Sequence, residues 1–230
     1  MSWLSDTLAL YGRVFRRAGD LTARNMILLS VAVCYPMLLG IGQSLLAPLG
    51  IIGGVLWTLA AAAAMSSWLT LMEGVVRNGR ADLRDVPASF VTYLSELINV
   101  GFLLFLLQMV AAFAFGPFPF LKIVFGLAIL VFLNAIPELI YLGRYVSTDL
   151  LVQSYRFIGT NWIEWFPANL VLIAVLLAVA VVLPEGPYGI VTALAAGLVA
   201  LFGGILRGLL FLELTTSSRR AREFQRRAAG

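Results

Sequence analysis

This sequence predicts an all-α, polytopic integral membrane protein, and three observations lead there. Of its 230 residues, 61% are hydrophobic and only 12% charged, where a soluble domain carries roughly 45–50% apolar and about 25% charged residues. Mean hydropathy is +0.95. The run from Met26 to Met72 contains no charge at all, and one bilayer span needs only roughly 20 apolar residues. Apolar content of this kind recurs along the whole chain, so a lone anchor does not explain it.

Residues 1–25 come first and read as an interfacial amphipathic helix. Placed at about 100° per residue, Asp6, Arg13, Arg16, Arg17, Asp20 and Arg24 share one face, and Trp3, Leu4, Leu8, Tyr11, Phe15 and Ala18 the other. A helix of this kind lies on the inner leaflet, with Arg13, Arg16, Arg17 and Arg24 against anionic lipid headgroups.

Six apolar helices follow, at 26–46, 51–72, 98–115, 120–142, 167–183 and 189–212. Short proline- and glycine-containing turns join them in pairs, at Ala47-Pro48-Leu49-Gly50, Gly116-Pro117-Phe118-Pro119 and Pro184-Glu185-Gly186-Pro187. The expected domain is therefore three hairpins, 26–72, 98–142 and 167–212, followed by a basic tail over 213–230. Longer polar segments separate the hairpins. One carries a second amphipathic stripe of Leu151, Tyr155, Ile158 and Trp162 opposite Asp149, Gln153, Arg156, Thr160 and Glu164; the other carries a weaker one of Phe90, Tyr93, Leu94 and Leu97. An internal repeat is suggested, with an acid closing each hairpin (Glu73, Glu138, Glu213) and an asparagine near the start of each (Asn25, Asn99, Asn169).

Basic residues set the expected orientation. Arginines crowd the N-terminal segment, the two long loops (Arg77, Arg80, Arg84; Arg144, Arg156) and the tail (Arg219, Arg220, Arg222, Arg226, Arg227), whereas Lys122 stands alone near the short turns. The positive-inside rule then puts both termini in the cytoplasm, here of a bacterial inner membrane.

The stretch Leu150 to Leu172, LLVQSYRFIGTNWIEWFPANLVL, has Gln153-Ser154-Tyr155-Arg156 and Asn161-Trp162 as landmarks. With its basic amphipathic helix and hydrophobic hairpins, the chain resembles bacterial six-helix membrane families related to the membrane domain of some glycerophosphodiester phosphodiesterases. The resemblance covers about half the chain and implies architecture, not an activity. No phosphodiesterase domain is present.

Enzymatic constellations are missing from the sequence. Histidine is absent, which removes haem ligation, His-based zinc sites and Ser-His-Asp chemistry together. No G-x-S-x-G, H-E-x-x-H or Walker loop is found, and no cofactor is expected. The single cysteine, Cys34, lies in an apolar run and reads as an inert thiol. The pI of about 9.6 comes from arginines beside apolar helices, so lipid surfaces rather than nucleic acid are the expected partners.

Two constellations remain. Glu138 falls inside the predicted fourth helix, with Asn134 one turn away on the same face and Pro137 beside it. An intramembrane carboxylate costs roughly 2.5–3.5 kcal/mol at a helix centre on insertion scales and less near the interface. Asn134 and Glu138 suit a cation, a proton or a polar headgroup; the preferred reading is an ion pair between Glu138 and Arg207, at similar depth in the sixth helix. Ala196, Ala200, Gly204 and Gly208 form a small-residue stripe at i, i+4 spacing, which permits close helix contact within the chain or with a dimer or protein partner. The expected function is a non-enzymatic membrane accessory or scaffold subunit that binds partner proteins or lipids. The alternative is a small transporter or channel with its polar site at Asn134 and Glu138.

Overall fold

The computed structural model describes residues 2–116, 118–182 and 189–216. Outside it lie Pro117, the predicted turn at Pro184-Glu185-Gly186-Pro187 and the tail arginines Arg219, Arg220, Arg222, Arg226 and Arg227, as do the side chains of Trp3, Leu4 and Asp6. The described helices are α1 (Ser2–Arg24), α2 (Leu28–Leu46), α3 (Gly50–Asn78), α4 (Val86–Ser89), α5 (Leu94–Ala114), α6 (Pro119–Phe132), α7 (Ile136–Glu138), α8 (Thr148–Val182) and α9 (Gly189–Thr216). Among the described residues there is no strand. Five helical stretches among the described residues are long and apolar enough to cross a membrane: Leu28–Asn78, Leu94–Ala114, Phe120–Gly143, Thr148–Val182 and Gly189–Thr216.

The first of these, 51 residues long, is broken in the middle. A 3₁₀ turn at Ala47–Leu49 ends in Gly50 at φ 58° and ψ −127°, a backbone state that glycine adopts without steric cost. The chain doubles back there. The Trp57 indole donates to the Leu39 carbonyl at 3.1 Å, and the Tyr35 and Ser67 hydroxyls meet at 2.6 Å.

Of the expected helices, α3 runs on to Asn78, α5 starts at Leu94 and α9 runs on to Thr216, and two others depart further. The fourth, read as 120–142, is interrupted: α6 stops at Phe132, a turn covers 133–135, and α7 leads into a π turn at Leu139–Gly143. Pro137 has no N–H to give to Leu133, so an unbroken α-helical ladder is impossible here. The fifth, read as 167–183, begins at Thr148 and kinks at Asn161 (φ −120°, ψ 16°). The polar segment before it is therefore itself helical, joined to the apolar part across that kink.

Both amphipathic helices keep most of their charged face outward, with Arg13, Arg16, Arg17 and Arg24 of α1 and Asp149, Arg156 and Thr160 of α8 exposed, but their apolar stripes are only partly buried. In α8 the buried residues include Ser154, Asn161, Glu164 and Asn169, while Tyr155 is 59% and Trp162 56% exposed. In α1, Leu10, Val14, Ala18 and Leu21 are buried, while Leu8 and Phe15 lie outward. In lipid the outward face is as apolar as the interior. Aromatic residues can face the hydrocarbon, while the buried Ser154 hydroxyl donates across to the Phe132 carbonyl of α6 at 2.8 Å.

Packing concentrates at one end of the bundle. There α1, the second half of α3, α7 with the π turn, the first half of α8 and the second half of α9 bury Leu69, Met72, Val75, Tyr141, Leu150, Trp165, Ile205 and Leu210. The opposite end splays, leaving Ile51 88%, Phe113 82% and Val181 79% exposed. The α1 helix crosses α9 rather than running along it. The Phe15 ring lies 5.8 Å from that of Phe202, whereas Arg13 reaches Glu213 at 3.3 Å; those two α9 positions are about 16 Å apart at ~1.5 Å rise per residue.

Asn25 ties this end together. It is 1% exposed, donates to the Leu21 and Gly79 carbonyls at 2.8 and 3.1 Å, and accepts from the Ala81 N–H at 3.2 Å. Asn25→Ala strands buried groups on two segments, at about 1–3 kcal/mol for a buried group left unsatisfied. Thermal unfolding in a fixed detergent should show that loss, and an unchanged midpoint would mean these bonds carry no stability.

Candidate functional site

The polar centre is built around Arg207 of α9. A guanidinium has five N–H donors in a planar fork. All five are spent here: Nε on Glu138 Oε1 at 2.7 Å, Nη2 on Glu138 Oε2 at 2.8 Å and on the Asn134 carbonyl at 2.7 Å, and Nη1 on the Oδ1 atoms of Asn134 at 3.2 Å and Asn169 at 2.5 Å. The carboxylate of Glu138, 3% exposed, is thus gripped in a bidentate pair.

Asn134 is placed by a local irregularity, Trp165 and Asn169 by their spacing one turn apart on α8. The turn after α6 takes the Asn134 carbonyl out of a helical ladder and turns it towards Arg207. Trp165 donates its indole N–H to Asn134 Oδ1 at 2.9 Å, and its ring lies 5.1 Å beneath the guanidinium carbon, a cation–π geometry. Asn169, on the same helix, anchors its amide to the Trp165 carbonyl at 2.7 Å and presents its oxygen to Arg207.

A cavity of about 430 Å³ opens beside this centre, between α3, α8 and α9, and includes Met65, Trp68, Tyr141, Leu176 and Ala200 in its lining. A more apolar one of about 230 Å³ shares Met65, Trp68 and Ala200 with it.

The small-residue stripe faces inward for half its length. A Cβ on Gly208 would lie 2.6 Å from the Tyr141 hydroxyl, and one on Gly204 3.0 Å from Met72 Sδ. Ala196 is half-buried and Ala200 borders the cavities. Arg13, Arg16, Arg17 and Arg24 are all exposed on α1, and Arg13 also pairs with Glu213.

The acids of the suggested repeat all meet arginines, in different ways. Glu73 accepts from the Tyr93 hydroxyl at 2.5 Å and pairs with Arg77 at 3.0 Å and Arg144 at 3.8 Å. Burial, and then the hydrogen bond to this carboxylate, push the Tyr93 phenol well above its usual range. The asparagines do not match: Asn25 and Asn169 are buried and bonded, whereas Asn99 is exposed.

Sequence reasoning missed a buried hydroxyl chain. Ser89 donates to Ser67 at 2.6 Å, and Ser67 also meets Tyr35 at 2.6 Å; Ser66 donates to the Ser89 carbonyl at 2.9 Å and accepts from the Tyr93 N–H at 2.8 Å. The adjacent Ser66-Ser67 in an apolar run was the available signal. It stitches α4 and the start of α5 onto α3.

Compared with protein-family models, with curated proteins and with solved structures, the chain gives no match.

Proposed function

We propose that this chain is a six-span protein of the bacterial inner membrane, with three hairpins and both termini cytoplasmic, and that it serves as a non-enzymatic accessory or scaffold subunit binding lipids or partner proteins. One observation supports this over the transporter alternative. Every donor of Arg207 is already spent on a protein acceptor, so the polar centre clasps helices together and leaves no guanidinium donor free for an anion. The unwound turn at 133–135, of the kind transport sites near the midplane present to their cargo, gives its Asn134 carbonyl to Arg207 instead. The exposed arginines of α1 suit contact with anionic headgroups on the inner leaflet.

Topology is tested by fused reporters. One placed after Gly230 or within 77–85 should read cytoplasmic, and one inserted at 116–119 should read external; any reversal removes the hairpin assignment. The role is tested by native mass spectrometry after extraction into lipid-like detergent. Retained lipid or a stoichiometric protein partner is the expected result. A bare monomer, together with an ion flux abolished by Glu138→Gln, would overturn it.

A further inference from the structure

The 430 Å³ cavity beside Arg207 is amphipathic along its length. Its polar groups, Asn134, Glu138, Tyr141, Asn169 and Arg207, gather at one end, and its other end is walled by Met65, Leu176, Val199 and Ala200. Val199 and Arg207 are separated by about 12 Å at ~1.5 Å rise per residue, which sets the length of the cavity. The volume falls within the roughly 300–1,000 Å³ of small-molecule sites.

We infer that this cavity binds a neutral single-chain lipid, a long apolar chain ending in a hydroxyl or ester head, taken from the surrounding bilayer. Three features select that chemistry. First, apolar cavities stay dry, so the Met65–Leu176 end calls for a chain rather than water. Second, Glu138 and Arg207 cancel each other, and no other acidic or basic residue lines the cavity. A charged head would find no counter-ion there, and uncompensated charge at membrane depth is costly. Third, the polar end has donors to spare. Tyr141 is 2% exposed, lines the cavity, and makes no hydrogen bond with any described residue. The Asn134 amide N–H groups are likewise unspent, since that side chain uses only its oxygen. An acceptor oxygen on the head satisfies both.

This deepens the lipid-binding part of the proposed function and rests on its membrane placement, which the reporter fusions test separately. The full chain is placed in phosphatidylethanolamine nanodiscs with a monoacylglycerol carrying a diazirine in its chain, and crosslinked peptides are mapped. Label is expected on the segments 65–72 and 169–176. Unlabelled monoolein should displace it at least about tenfold better than lysophosphatidylglycerol of the same chain, tenfold corresponding to ~1.4 kcal/mol. Tyr141→Phe should leave the unfolding midpoint unchanged, because the hydroxyl has no protein partner to lose. It should weaken labelling about three- to tenfold, the worth of one hydrogen bond. Ala200→Phe fills the apolar end and should abolish the label; Leu176→Trp fills it from α8 if that variant fails to fold. Label confined to the outward faces of α5 and α6, label indifferent to both filling variants, or equal displacement by the anionic lysolipid would each overturn the proposal.

Discussion

Arg207→Gln is expected to destabilise the protein by about 3–5 kcal/mol, the loss seen when one member of a buried ion pair is removed. The substitution leaves Glu138 buried without its counter-charge and releases Asn134 and Asn169 from their shared donor. Glu138→Gln also destabilises, since it leaves a guanidinium charge uncompensated beneath the bilayer surface. The double variant should recover much of the loss, because two neutral amides do not strand a charge. Thermal unfolding of all four proteins in one detergent measures the non-additivity, expected at about 0.5–3 kcal/mol for residues in direct contact. Additive losses would mean that the pair is not a clasp. Additive losses accompanied by loss of an ion flux would revive the transporter reading.

Gly208→Ala carries the second large effect. The new methyl would lie 2.6 Å from the Tyr141 hydroxyl and 2.8 Å from Val76 Cγ2, and both neighbours belong to the packed core. Overpacking of this kind costs typically about 1–3 kcal/mol. Gly204→Ala should cost less, because its nearest neighbour is the Met72 thioether at 3.0 Å, a flexible side chain that can move aside. Combining Gly208→Ala with Tyr141→Phe removes the closest clash and should restore part of the loss. Unfolding midpoints together with light scattering decide what this part of the stripe does. A lower midpoint at constant mass places it inside the chain. A change in oligomeric state with an unchanged midpoint would instead make it a surface between copies.

Some of the centre was legible beforehand, for a simple reason. A carboxylate and a guanidinium inside apolar segments are both expensive, and each is the other's nearest remedy, so Glu138 and Arg207 stand out in the sequence alone. Trp165, Asn169 and Tyr141 do not stand out. An aromatic residue, an asparagine near a helix end and a tyrosine are common in such chains, and only the fold brings them onto one guanidinium or one cavity. The stripes of α1 and α8 marked most of the charged face but not which apolar residues meet other helices, because in lipid both faces of a contact can be apolar.

Composition and hydropathy by themselves determined the helical membrane class, because the bilayer leaves a single-chain apolar segment no other way to satisfy its backbone than a helix. Proline and glycine marked the turn at Ala47–Gly50 for the same kind of local reason, φ being set by the residue itself. The tertiary structure alone decided where helices bend, which face of each is buried and how Arg207 divides its donors. Those outcomes depend on groups distant in sequence: the α6 break finds its carbonyl's partner on α9, and the Asn161 kink lies where α8 meets the packed end of the bundle. Local propensity carries no record of such partners.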